Sequence, residues 1–92
     1  TVITAIVMIS VEPDKIPEVA QQLAELNGVS EVYSVAGDAD LIAIVRVRDV
    51  AQIAETIAGR LSKVDGVVHT DTHIAFRAYS RHDLEATFDI GF

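Results

Sequence analysis

The chain has 92 residues, which is the size of one domain, and we predict a single domain over 1–92 with a core at 1–79 and a tail at 80–92. Half of the residues are hydrophobic but only 5% are aromatic, and there is no cysteine, which excludes a disulfide framework, a thiolate metal site and a cysteine nucleophile. The net charge of -7 opposes contact with a phosphate backbone, so we expect no direct binding of nucleic acid.

The length and placement of the apolar runs bear on where the protein resides. No run approaches the roughly 20 residues that span a bilayer, and the first one lacks the basic start and cleavage site of a signal peptide. We therefore expect a cytoplasmic protein that does not enter a membrane. A chain this short cannot hide so much aliphatic surface alone, so self-association is also expected.

The first half of the chain predicts strand, helix and hairpin. Residues 2–11 are β-branched and nearly continuous, which is typical of a central strand buried on both faces. Pro13 opens a helix, and Asn27 with Gly28 ends it. Its apolar stripe comprises Ile16, Val19, Ala20, Leu23 and Leu26. Residues 29–36 alternate, and a turn at 37–40 leads to an apolar strand at 41–47, which indicates a hairpin.

The second half predicts one more helix and one more strand. Asp49 is an N-cap candidate with Gln52 three residues later. The buried stripe of this helix is predicted to comprise Ile53, Ala54, Ile57, Ala58 and Leu61. The last strand runs from about Val67 to Tyr79, and Ser80 with Asp83 suits the cap of a short tail helix.

The element order βαββαβ predicts an α+β, ferredoxin-like fold with a four-stranded antiparallel sheet and a short C-terminal tail. In that fold the first and third strands are central and the helices cover only one face of the sheet. The open face needs a cover, and the simplest is the same face of a second copy related by a two-fold axis. The sequence therefore predicts a dimer formed through the sheet face.

Two motifs in this order resemble the effector-binding domain of the Lrp/AsnC family of amino-acid-responsive regulators. The first is the turn Gly37-Asp38-Ala39-Asp40 followed by an apolar strand; the second is Asp65-Gly66-Val67 followed by Thr70 and Thr72. The resemblance covers residues 1 to about 79. Regulators of this family carry a helix-turn-helix domain before this one, and here the chain begins at the first strand, so it looks like the stand-alone form or an excised fragment.

The resemblance implies a function and a candidate site. It implies a regulatory domain, not an enzyme, that binds a small amino acid between neighbouring dimers, within a higher homo-oligomer, with an octamer favoured. The predicted ligand-binding residues are Gly37, Asp38, Asp40, Thr70 and Thr72. The turn offers N–H donors for a carboxylate and Asp38 or Asp40 as acceptor for an ammonium group. The same turn is also ordinary hairpin chemistry, and threonine is a favoured strand residue.

Three rival interpretations stay open. His69-x-Asp71-x-His73 suggests a metal site, but at about 3.3 Å per residue the two histidines lie about 13 Å apart, so no metal or other cofactor is expected. A small dimeric ferredoxin-like enzyme is conceivable with His73 or Asp71 as a base, but no nucleophile, base and orienting group occur together. The third is an oligomerisation-only module that co-assembles with full-length Lrp/AsnC homologues.

Overall fold

The computed structural model describes residues 2–79 and residue 81. Its elements are β1 (Ile3–Val11), α1 (Ile16–Ala24), β2 (Val29–Ser34), β3 (Leu41–Val47), α2 (Val50–Gly59) and β4 (Val67–Ala75). A 3-10 turn at Pro13–Lys15 precedes α1, and another at Leu61–Lys63 follows α2. The predicted tail helix from Ser80 lies outside the described residues. No helix of the described part is long and apolar enough to cross a membrane.

The strands form one antiparallel sheet in the order β2-β3-β1-β4. This arrangement confirms the ferredoxin-like prediction, with the first and third strands in the centre. Three strands are shorter than predicted, and β1 differs by only one residue at its start. Ala75 pairs with Thr4, next to the first residue of β1, so β4 runs out of backbone partners there. Ser34 pairs with Leu41, the first residue of β3, so β2 ends where its hairpin partner begins.

The helices cover one face of the sheet and enclose an aliphatic core. From the sheet this core takes Ala5, Val7, Ile9, Val11, Leu41, Ala43 and Val45. From the helices and the second 3-10 turn it takes Val19, Leu23, Ile53, Ile57 and Leu61. The predicted stripe of α1 is confirmed, since Val19 and Leu23 are fully buried and its other members pack against the core.

The predicted stripe of α2 is wrong at two positions. Ala54 and Ala58 are exposed, whereas Thr56, which the pattern did not select, is buried. Ile53, Thr56 and Ile57 define the inward face, and at 3.6 residues per turn Ala54 lies about 100° around the helix from Ile53. Alanine is apolar but small, so it also occurs on exposed helix surface. The apolar pattern therefore extended the predicted stripe beyond the face that is buried.

The N-cap of α2 is as predicted. The Asp49 carboxylate accepts a hydrogen bond from the backbone N–H of Gln52 at 3.0 Å. The Gln52 side-chain oxygen in turn accepts from the N–H of Arg48 at 2.9 Å. The first bond satisfies a backbone donor that the first turn of a helix leaves without a partner, and the second joins the residue before the N-cap to that turn.

The second face of the sheet, which we call the open face, has no helix over it within residues 2–79. Its central side chains are Ile6 and Met8 from β1 with Ile42 and Ile44 from β3, as the register requires. Ile6 keeps 37% of its surface exposed and the other three are half-buried. The expectation that β1 is buried on both faces is therefore wrong for a single chain. Four aliphatic side chains remain in contact with solvent.

Candidate functional site

The Gly37–Asp40 turn is fastened to the end of β1 by Asp40. One carboxylate oxygen of Asp40 accepts from the backbone N–H of Val11 at 2.8 Å, and the Asp40 N–H donates to the carbonyl of Ile9 at 3.0 Å. The Asp40 carbonyl accepts from the N–H of Val35 at 3.1 Å. Asp40 therefore holds the turn in place, a role that its position in the sequence did not reveal, and its second carboxylate oxygen stays available.

Gly37 and Asp38 occupy the outer part of the same turn. Gly37 has a φ of +138°, which favours glycine, and a Cβ there would meet nothing within 4 Å. Asp38 is exposed and lines a shallow concavity of about 130 Å³ at this end of the open face. The other lining residues are Met8, Ser10, Ala39, His69 and Asp71. Asp38 thus presents its carboxylate beside β1 and β4.

The two threonines lie on the other side of β4. Thr70 pairs with Ile9 and Thr72 with Val7, and both partners point to the helix-covered face. Because side chains alternate along a strand, His69 and Asp71 point to the open face and the threonines away from it. A single chain therefore gathers the turn residues at one place but does not bring Thr70 and Thr72 to them.

The histidine motif on β4 forms a pair with aspartate. His73 Nε2 lies 3.2 Å from an Asp71 carboxylate oxygen, and both side chains are exposed. Within residues 2–79 no group of three or more histidine, aspartate or glutamate side chains is arranged to hold a metal ion. The pair has no third hydrogen-bonding member in the described part of the chain, so it does not form a catalytic constellation.

Charged and polar side chains border the aliphatic centre of the open face. On β2, Glu31 accepts from the Tyr33 hydroxyl and from the Arg46 guanidinium, the latter at 2.8 Å. The Tyr33 hydrogen bond, and then Arg46, lower the pKa of Glu31, while its bond to Glu31 raises the pKa of Tyr33. An apolar centre with a polar border is the usual composition of a protein interface.

The sequence and the fold can be compared with known proteins. A family model described as the Lrp/AsnC ligand binding domain matches residues 4–84. The transcriptional regulator LysM of Saccharolobus solfataricus is 36% identical over 78 residues, which cover 84% of this chain and 54% of LysM. The chain spans about half the length of the curated relatives it matches.

Two solved structures show the same fold. The crystal structure of TTHA0845 from Thermus thermophilus is 40% identical, with a TM-score of 0.80, and the match covers 86% of this chain and 99% of that one. A Neisseria meningitidis transcriptional regulator solved as a complex with L-Met has a TM-score of 0.77, with coverage of 86% and 53%. Its identity is only 14%, so this second likeness concerns the fold alone.

Proposed function

Because the chain belongs to the Lrp/AsnC ligand-binding domain family, we propose that it is an amino-acid-sensing regulatory domain of transcriptional control in amino-acid metabolism. In this proposal a small amino acid binds at the Gly37–Asp40 turn, between neighbouring dimers, and changes the strength of their association. The observation that carries the proposal is the family match, and the geometry of the turn supports it.

The turn offers what an amino-acid ligand requires. Asp38 has no hydrogen-bond or ion-pair partner among the described residues, so its carboxylate is available to an ammonium group. Gly37 leaves the backbone uncovered for close approach by a carboxylate. Asp40 holds the turn through Val11, and its remaining oxygen adds a second acceptor. The structure thus favours Asp38 over Asp40 as the main ammonium acceptor.

The concavity beside this turn is too small to enclose a ligand unaided. Its volume is about 130 Å³, whereas pockets that bury most of a small ligand typically span roughly 300–1,000 Å³. A second subunit placed over the turn would supply the missing wall. We assign Thr70 and Thr72 to the same site on this basis, as residues contributed from a neighbouring chain.

Thermal unfolding in the presence of each of the twenty amino acids tests this proposal. A ligand at 100 times its dissociation constant adds roughly 2.7 kcal/mol to the free energy of unfolding, which raises Tm by several degrees. We expect a selective rise with one or a few amino acids. Asp38→Ala should remove that rise without lowering Tm in the absence of ligand. A flat response of the wild-type protein to all twenty would contradict the proposal.

We further propose that the dimer forms through the open face. Ile6, Met8, Ile42 and Ile44 provide the aliphatic centre that a second copy would bury. Sedimentation of Ile44→Glu tests this, because a buried unpaired carboxylate opposes such contact. Ala54→Glu, on the exposed side of α2, adds the same charge outside the open face and serves as the control. Retention of the dimer by Ile44→Glu would place the interface elsewhere.

The exposed aliphatic face also supports an alternative, in which the chain only oligomerises and mixes with full-length relatives. Amino-acid sensing and oligomerisation alone predict different results when thermal unfolding is measured with each of the twenty amino acids. Oligomerisation alone predicts a dimer that Ile44→Glu disrupts, together with no selective change in Tm. Assembly beyond the dimer, including an octamer, is tested by the same sedimentation measurement with and without the amino acid that raises Tm.

A further inference from the structure

A second and larger concavity lies at the opposite end of the sheet from the Gly37–Asp40 turn. It has a volume of about 370 Å³ and lies between the start of β2, the end of β3 and one side of α2. Its lining includes Asn27, Gly28, Arg48, Thr56 and Arg60. The seven residues of β3 separate it from the turn by roughly 20 Å at 3.3 Å per residue.

The lining concentrates positive charge in an acidic protein. Arg46, Arg48 and Arg60 are three of the seven Lys and Arg residues in a chain of net charge -7. Arg46 is paired with Glu31 at 2.8 Å, and Arg60 with Glu55 at 3.2 Å. The Arg48 guanidinium has no hydrogen-bond or ion-pair partner among the described residues. One guanidinium therefore remains available to a ligand.

Thr56 adds a second hydrogen-bond donor to the lining of the concavity. Its side chain lines the concavity with only 4% of the residue exposed, and its hydroxyl makes no hydrogen bond to any described residue. Among the described residues no buried side-chain nitrogen or oxygen atom lacks a hydrogen-bond partner, so the Thr56 hydroxyl oxygen is in contact with the open space of the concavity. The Thr56 hydroxyl and the Arg48 guanidinium thus line the same concavity, and both are available to donate hydrogen bonds to a ligand.

Gly28 keeps the Thr56 hydroxyl accessible. It has a φ of +95°, and a Cβ at this position would lie 2.9 Å from the Thr56 hydroxyl oxygen. Any side chain here would cover that hydroxyl and close this part of the concavity. Gly28 also accepts the N–H of Arg46 through its carbonyl, which fixes the backbone where the wall of the concavity begins.

From this arrangement we infer that the concavity is a second ligand site, which binds the oxyanion group of a small metabolite, a carboxylate or a phosphate. The guanidinium of Arg48 donates two parallel hydrogen bonds to such a group, and the Thr56 hydroxyl donates a third. The α2 residues of the site lie on the helix side of the sheet, whereas Arg46 also borders the open face. The site is separate from the amino-acid site and does not depend on it.

The site is tested by recording amide NMR spectra of the full chain while inorganic phosphate, or succinate, is added at constant ionic strength. We expect saturable shifts at Gly28, Arg48 and Thr56 but not at Gly37. Shifts with phosphate alone identify a phosphorylated metabolite, and shifts with succinate alone a carboxylate. An absence of saturable shifts with both probes through the millimolar range would overturn the inference.

Variants separate specific binding from general attraction of anions. Arg48→Gln removes the positive charge and at least one of the two hydrogen bonds, and should weaken binding at least about 10- to 100-fold, the range expected for one hydrogen bond to a charged group. Lys63→Gln removes the same charge outside the concavity and should leave the affinity unchanged. Thr56→Val should weaken binding while Thr56→Ser restores it, and both should fold because Thr56 has no partner to lose. Equal losses in Arg48→Gln and Lys63→Gln would refute the site.

Discussion

Replacement of Asp40 by alanine tests whether this residue holds the turn as the structure indicates. The change removes the acceptor of the Val11 N–H, a bond of 2.8 Å to a residue that is 4% exposed. A buried backbone donor without its partner costs about 1–3 kcal/mol. In a domain of this size each kcal/mol lowers Tm by about 4–8 °C. We therefore expect a loss of about 4–24 °C in Asp40→Ala.

The measurement is urea or thermal unfolding at a fixed protein concentration, since assembly makes Tm concentration-dependent. Asp40→Asn keeps an acceptor oxygen and should recover most of the lost stability. Asp38→Ala is the matched control, because Asp38 is exposed and surface changes usually stay within about 0.5 kcal/mol. If Asp40→Ala proves as stable as Asp38→Ala, the hydrogen bond to Val11 does not stabilise the turn and the reasoning is refuted.

Two further predictions concern the glycines and the border of the open face. Gly66→Ala should destabilise the protein more than Gly37→Ala in urea unfolding, because a Cβ on Gly66 would lie 2.8 Å from a methyl of Val19 while one on Gly37 meets nothing. Equal losses of stability in the two variants would mean that the contact with Val19 costs nothing and that only the backbone conformation matters. Tyr33→Phe should raise the carboxyl pKa of Glu31, measured by NMR titration, because the hydroxyl that most lowers it is removed. Since the folded pKa of Glu31 lies below its ordinary value, its contribution to stability is present at neutral pH and is lost as the pH falls through the folded pKa. An unchanged Glu31 titration in Tyr33→Phe would show that the hydrogen bond does not persist in solution.

The amino-acid sequence was sufficient to predict the secondary-structure elements and their order. The bounds of β3 follow from an apolar run after a turn, and the Asp49 cap follows from one hydrogen bond across three residues. Both were predicted as observed. The sheet order followed from βαββαβ, because connection rules leave few arrangements for such a chain. The surplus of aliphatic residues likewise predicted an uncovered face, where Ile6 is now found.

Only the tertiary structure decided which polar groups are hydrogen-bonded within the chain and which are free to bind a ligand. Asp40 and Val11 are 29 residues apart, and only the register between β1 and β3 brings them together, leaving Asp38 as the unpartnered acidic residue of the turn. Gly28 lies between α1 and β2, and Thr56 lies within α2, so no local pattern could place them close together. Propensity, capping and periodicity act over a few residues. Hydrogen bonds between distant segments depend on packing that these local preferences do not specify.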